Sequence, residues 1–193
     1  AESALSGVGK EVGAENALWY RRSFSVPSSW KGRDVVLNFG AVDWQADVWV
    51  NGAKVGSHTG GYTPFSLNIT QALKSGGDNE VVVRVWDPTD KGPQPRGKQV
   101  SEPGLIWYTS VTGIWQTVWL EPVARRHIAD LRILPDIDRG ILRVDAVPSG
   151  NVTDGMVEVI VKDNGRRIAS GRAGTGESVI VDMPSDIELW SPE

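Results

Sequence analysis

The chain has 193 residues, 40% of them hydrophobic and 23% charged, a globular composition that excludes a disordered or collagen-like polymer. Its net charge of −4, with basic residues adjacent only in the pairs Arg21-Arg22, Arg125-Arg126 and Arg166-Arg167, excludes the clustered positive surface that nucleic acid requires. There is no cysteine for a disulfide framework or thiol chemistry, and no apolar run approaches the roughly 20 residues that span a bilayer, so no membrane partner is expected.

Gly (22) and Pro (11), together with frequent Val, predict short strands joined by turns, an all-β chain. The opening AESALSGVGK has neither the basic nor the apolar region of an export signal, and cytosol, periplasm and secretion are all compatible with a chain of this kind. LWYRRSFSVP (18–27) alternates bulky and polar residues and stops at a proline, as a strand does. DVVLNF follows, then ADVWVNGAKVGSH, in which Asn51-Gly52 sits between two alternating runs and predicts a hairpin with a type I′ turn. Thr70 is placed to cap a short helical turn, TQALKS, closed by Gly76-Gly77, and NEVVVRVW (79–86) is a further strand. DPTDKGPQPRGKQVS (87–101) is too rich in Pro and Gly to hold a ladder and reads as a long loop, either a contact element or a solvated crossover.

Near Glu121-Pro122 the character changes. Eight of the nine Trp precede that point; after it, HIADLRILPD, GILRVDAV, GMVEVIVKDNGRRIASG and ESVIVDM are evenly spaced short strands, as in an immunoglobulin-like sandwich. The expected domains are 1–123 and 124–193. The second has about 70 residues where such a sandwich needs about 100, so it is expected to lack its last strands.

Strand alternation assigns each Trp a side once the aliphatic set marks the core. Tyr20, Phe24 and Val26 point inward and Trp19 outward; Ala46, Val48 and Val50 inward and Trp49 outward; Val81, Val83 and Val85 inward and Trp86 outward. In IWYTSVTGIWQTVWLEPV (106–123), Ile114, Val118 and Leu120 take one side, Trp115 and Trp119 the other. Large aromatics left on a non-core side need a cover: loops of the same domain, a stacked sugar, or a neighbouring domain.

Catalytic chemistry is not visible. No G-x-S-x-G elbow occurs, His58 and His127 stand without a second ligand at metal spacing, and GRAGTGES lacks the lysine of a nucleotide loop. Asn79-Glu80 follows a Gly-Gly turn and opens a strand, and no second acid is placed to converge with it as glycoside hydrolysis requires. No catalytic residue, metal or cofactor is therefore assigned.

The run WYRRSFSVPSSWKGRDVVLNFGAVDWQADVWVNGAKVGSHTGGYTPFSLNIT, then NEVVVRVWDPTD, QPRGKQ and IWYTSVTGIWQTVWLEPV, resembles the N-terminal sugar-binding domain of glycoside hydrolase family 2, the β-galactosidase, β-glucuronidase and β-mannosidase group. The resemblance spans about Trp19 to Val123, and ESALSGVG is similar to the lead-in of bacterial members. It implies a galactose-binding-domain-like jelly roll, then an immunoglobulin-like domain, then a catalytic (β/α)8 barrel that carries both glutamates of a retaining mechanism. ELWSPE resembles the stretch before the final strands of the middle domain, so the chain is read as the non-catalytic front of such an enzyme, with the barrel and a glycoside as partners; a homo-oligomer is left open. Galactosidases of one branch place an acidic residue just ahead of the segment matching TGIWQTV, whereas this chain has GLIWYTS, a departure from that branch. Trp107, Tyr108 and Thr109 become candidates to face the barrel or its substrate, and Asp43, Trp44, His58 and Tyr62 complete the set of carbohydrate or interdomain contacts. The alternative is a free-standing carbohydrate-binding module.

Overall fold

A computed structural model describes residues 7, 9–74, 76–150, 152 and 154–192. Most of the ESALSGVG lead-in lies outside the described residues. The chain divides into two compact units, Ala1–Val123 and Ala124–Glu193.

In the first unit, β1 (Leu18–Phe24), β2 (Asp34–Phe39), β3 (Val42–Asp43), β4 (Gln45–Val50), β5 (Ala53–Thr59), β6 (Phe65–Asn68), β7 (Asn79–Trp86), β8 (Gln99–Val100), β9 (Tyr108–Thr109), β10 (Gly113–Ile114) and β11 (Val118–Val123) follow in order. They form a four-stranded sheet β1-β7-β4-β5 and a three-stranded sheet β11-β2-β6, with the short pairs β10-β3 and β8-β9. Between the sheets, Val35, Leu37 and Phe39 of β2 pack with Val42, Ala46, Val48, Val50, Val83 and Val85, and Tyr20, Phe24, Val81, Ile114 and Leu120 join from the margins. The inward set is the one that alternation dictates, except that Val118, grouped with Ile114 and Leu120, is 39% exposed and lies outside the core. A fully buried residue of the size of Phe39 contributes roughly 1.5–3 kcal/mol.

The hairpin turn is as the Asn-Gly pair requires, with φ of 51° at Asn51 and 83° at Gly52. Asn51 also works outside its turn. Its Nδ2 donates to the Ala72 carbonyl and to Asn79 Oδ1, both at 2.8 Å, and its Oδ1 accepts the Glu80 amide at 3.0 Å. The helical turn is shorter than expected, a 3-10 turn at Thr70–Ala72, and Thr70 does not cap it. Asn68 Oδ1 accepts from the Thr70 amide (3.0 Å) and hydroxyl (2.6 Å), while Thr70 Oγ1 accepts the Val35 amide at 2.8 Å. An Asn side chain two residues upstream reaches that amide in an Asx turn, which frees the threonine to tie the turn to β2.

The second unit holds β12 (Ile128–Asp136), β13 (Ile141–Pro148), β14 (Met156–Asp163), β15 (Arg166–Gly174) and β16 (Ser178–Asp182), paired as β12-β13-β16 and β14-β15. Its core is Val144, Val179 and Val181, against which Val157, Val159, Val161 and Ala169 pack. On β12, Leu131 and Ile133 lie opposite the buried Ala146 and Val144 of β13, on the same face, yet Ile133 stays 59% exposed. The core side is thus open along that edge. At Gly171 of β15 an added Cβ would fall 2.4 Å from the Ile180 carbonyl oxygen of β16, so only glycine lets the two backbones approach so closely. Gly171→Ala is expected to destabilise the second unit by about 1–3 kcal/mol through overpacking, seen as a lowered Tm in circular dichroism. An unchanged Tm would show that these strands part without cost.

Candidate functional site

The candidate site is built at the end of the first unit where β3, β10 and three loops meet. Asp43 ends β3 and pairs with Gly113 of β10, and a cis peptide joins it to Trp44. Asp43 is only 7% exposed, and its Oδ1 has no hydrogen-bond partner among the described residues. The 60–64 loop lies against it: a Cβ on Gly61 would fall 2.3 Å from Asp43 Oδ1. The same loop carries Tyr62, whose exposed ring meets Trp115 edge-on with centroids 6.0 Å apart, while Trp115 Nε1 donates to the Gly61 carbonyl at 2.7 Å. Trp44 is half-buried, and its carbonyl accepts the Gly60 amide at 3.2 Å.

Directly after β7, Asp87 organises the long loop. Its Oδ1 accepts the Thr89 amide at 2.8 Å and Gln94 Nε2 at 3.4 Å, and its Oδ2 accepts the Thr112 hydroxyl at 3.2 Å. Asp90 fixes the far end, accepting the Ser101 amide at 3.1 Å and hydroxyl at 2.7 Å, and these bonds hold its carboxyl below the usual range. The loop that composition marks as irregular is therefore pinned at both ends. It also contributes β8, which pairs in parallel with β9.

Tyr108 and Thr109 form β9 of that ribbon, and Trp107 immediately precedes it. Leu105, Ile106, Trp107 and Tyr108 form an exposed apolar run, with Tyr108 64% exposed and Lys98 Nζ 6.0 Å over its ring. Thr109 is also exposed. Trp115 and Trp119 are 47% and 44% exposed, on the non-core side as alternation predicts, although Trp115 leans on the 60–64 loop rather than on 87–101. His58 belongs elsewhere. It stacks on Phe65 (4.2 Å, 13°), which stacks on Phe39 (4.6 Å, 9°), and its Nε2 meets Thr63 Oγ1 at 3.1 Å, a packing role. Glu80 is engaged by Arg21 at 2.6 Å on the outer sheet face, as a strand opening would have it.

Sequence reasoning missed Asp87 and Thr112. The only local signal for Asp87 is Asp-Pro-Thr, an Asx-turn spacing; its approach to Asp43 is non-local. Among the described residues no group of three or more His, Cys, Asp or Glu side chains is arranged to hold a metal ion.

The sequence model for the glycosyl hydrolases family 2 sugar binding domain matches residues 10–120, well over half of the chain. The chain belongs to that family. It is 38% identical to a β-galactosidase of Thermoanaerobacter pseudethanolicus over 66% of this chain and 16% of the relative, and 28% identical to a β-glucuronidase of Paenibacillus borealis over 91% of this chain and 31% of the relative. This family 2 chain thus spans less than a third of the length of these curated relatives. Among solved structures, a β-D-glucuronidase of Dictyoglomus thermophilum superposes with a TM-score of 0.66 at 22% identity, covering 91% of this chain and 32% of that one. A Ruminococcus gnavus β-glucuronidase gives 0.65 at 20% identity over 90% and 30%. These two likenesses show the fold alone, consistent with a β-sandwich.

Burial, and secondarily the charge of Asp87, raises the Asp43 carboxyl to about 7. The folded state therefore holds a proton that the unfolded state releases near pH 4, and the associated stability, full below that point, is lost as pH rises through about 7. Asp43→Asn, neutral at every pH, is expected to raise Tm relative to the parent above about pH 7 and to bring no gain near pH 4. A gain equal at both ends of the range would show that the carboxyl carries no such load.

Proposed function

We propose that this chain is the non-catalytic front of a retaining family 2 glycosidase, whose first unit presents the Leu105–Tyr108 run and Trp119 as a wall against a catalytic (β/α)8 barrel or its glycoside. The single observation behind this is the exposed aromatic and aliphatic run itself, since large contiguous apolar patches on soluble chains mark interaction surfaces. A barrel loop laid on it would cover Ile106, Trp107 and Tyr108 together. The carboxylates cannot replace the barrel's chemistry: retention needs two acids about 5–5.5 Å apart flanking a bound sugar. The charge of Asp87 acts on Asp43, but both residues are buried.

The reaction proposed for the whole protein is hydrolysis of an O-glycosyl bond in carbohydrate metabolism. A β-galactosidase-like activity follows from the family resemblance, and a β-glucuronidase activity stands beside it because relatives of both kinds match the chain. Purified 193-residue chain is expected to release no nitrophenol from the nitrophenyl β-galactoside or β-glucuronide; turnover would overturn the reading. In a polypeptide that also carries the barrel, the preferred glycoside identifies the activity, and Trp107→Ala is expected to lower kcat/KM about tenfold or more through lost positioning. A change below about twofold would remove Trp107 from the wall.

A further inference from the structure

The outer face of the four-stranded sheet carries a pair of tryptophans that the wall does not use. Trp19 on β1 and Trp49 on β4 flank the central strand β7, opposite Arg84 and Val82 respectively. Strands two places apart in a sheet are separated by about 9.6 Å, yet the ring centroids lie 5.7 Å apart with planes inclined by 24°. Each indole therefore leans inward over β7. Lys54 Nζ sits 5.8 Å from the Trp49 ring, whereas Trp19 remains 57% exposed. Next to the pair, Asp47 accepts from Lys54 at 2.7 Å, Ser57 at 2.8 Å and Arg84 at 3.4 Å. The Lys54 bond above all holds the Asp47 carboxyl below its usual range, so it stays an acceptor at neutral pH.

We propose that this face binds a neutral glycan, with a pyranose ring stacked on the exposed side of Trp19 and its hydroxyls bonded to Asp47, Lys54 and Arg84. A pyranose with equatorial hydroxyls presents a flat patch of axial C–H bonds, and an indole presents a flat apolar face whose negative quadrupole attracts polarised C–H groups. Ring hydroxyls then need donors and acceptors side by side. Lys54 offers three donors and Arg84 five, and Asp47 takes only part of them.

The surroundings argue against a protein partner. The centres of protein interfaces are depleted of Lys, Glu and Asp, while here Glu80, Asp47 and Lys54 lie on the same sheet face as the two rings. Arg21 is taken by Glu80, while the single carboxylate of Asp47 is shared by Lys54 and Arg84, so donors are left over for ring hydroxyls without breaking an ion pair. The Trp19–Trp49 stack also orients the platform before a ligand arrives, which lowers the ordering cost of binding. Every group lies in the first unit, so a glycan held here needs neither a barrel nor a second unit.

Native gels containing soluble galactan, xyloglucan or β-1,3-glucan provide the test. The 193-residue chain is expected to be retarded in at least one, with a change in tryptophan fluorescence on titration of that polysaccharide. Trp19→Ala, whose side chain is exposed and whose folding is checked by circular dichroism, is expected to lose about tenfold or more in affinity; Trp19→Phe, which keeps a ring, should regain part of it. Absence of retardation in all three gels, or retardation unaltered in Trp19→Ala, overturns the proposal. So does a Trp19-dependent dimer in sedimentation velocity, which would assign the face to a second copy.

Discussion

A β-strand has two sides and no third, and the first unit is organised by which side its branched aliphatics must take. Once Val48, Val50, Val83 and Val85 are committed to the space between the sheets, Trp49 and Trp86 are forced to the opposite face by the backbone alone. Their place on that face follows from the core's demand for close packing. What the chain then does with them differs from ring to ring. Trp86 is tied to the N-terminal segment through its Nε1 and the Ala14 carbonyl at 2.7 Å, and Trp115 is held by the 60–64 loop. Trp19 and Trp119 are left facing outward.

The same contrast explains how legible the molecule is in its sequence. Whatever depends on near neighbours in the chain can be read: the Asn51-Gly52 turn, the alternating strands, the five short strands after Val123, and the sides of Trp115 and Trp119. Family membership is legible for a different reason, because many spaced elements in order are far more specific than any one of them. What stays hidden depends on segments distant in sequence. Nothing local to DPTDKGPQPRGKQVS indicates that Gln99 pairs in parallel with Tyr108 or that Asp87 receives Thr112 from 25 positions downstream. His58 likewise reads as a lone polar residue until Phe65 and Phe39 are seen to stack beneath it.

The candidate site shows how a fold can carry an unfavourable group. Asp43 is buried beside a second carboxylate and lacks a partner for one oxygen, and such groups are rare because each costs stability unless something offsets it. The offset comes from the neighbourhood. Asp87 is well supplied with donors, Gly61 yields space where any side chain would collide, and the packed core lies immediately behind at Val42. Local tension of this type is expected near sites that act on something else.

Asn51 has a consequence for the order of events in folding. A hairpin closed only by its own ladder can form early and alone, but here the turn side chain bridges Ala72, Asn79 and Glu80, which join the chain 21 to 29 positions later. The tip of the hairpin is thus locked by the strand that completes the sheet. Amides around Asn51 should exchange with solvent at rates set by global opening of the unit, without the fraying typical of an exposed bend.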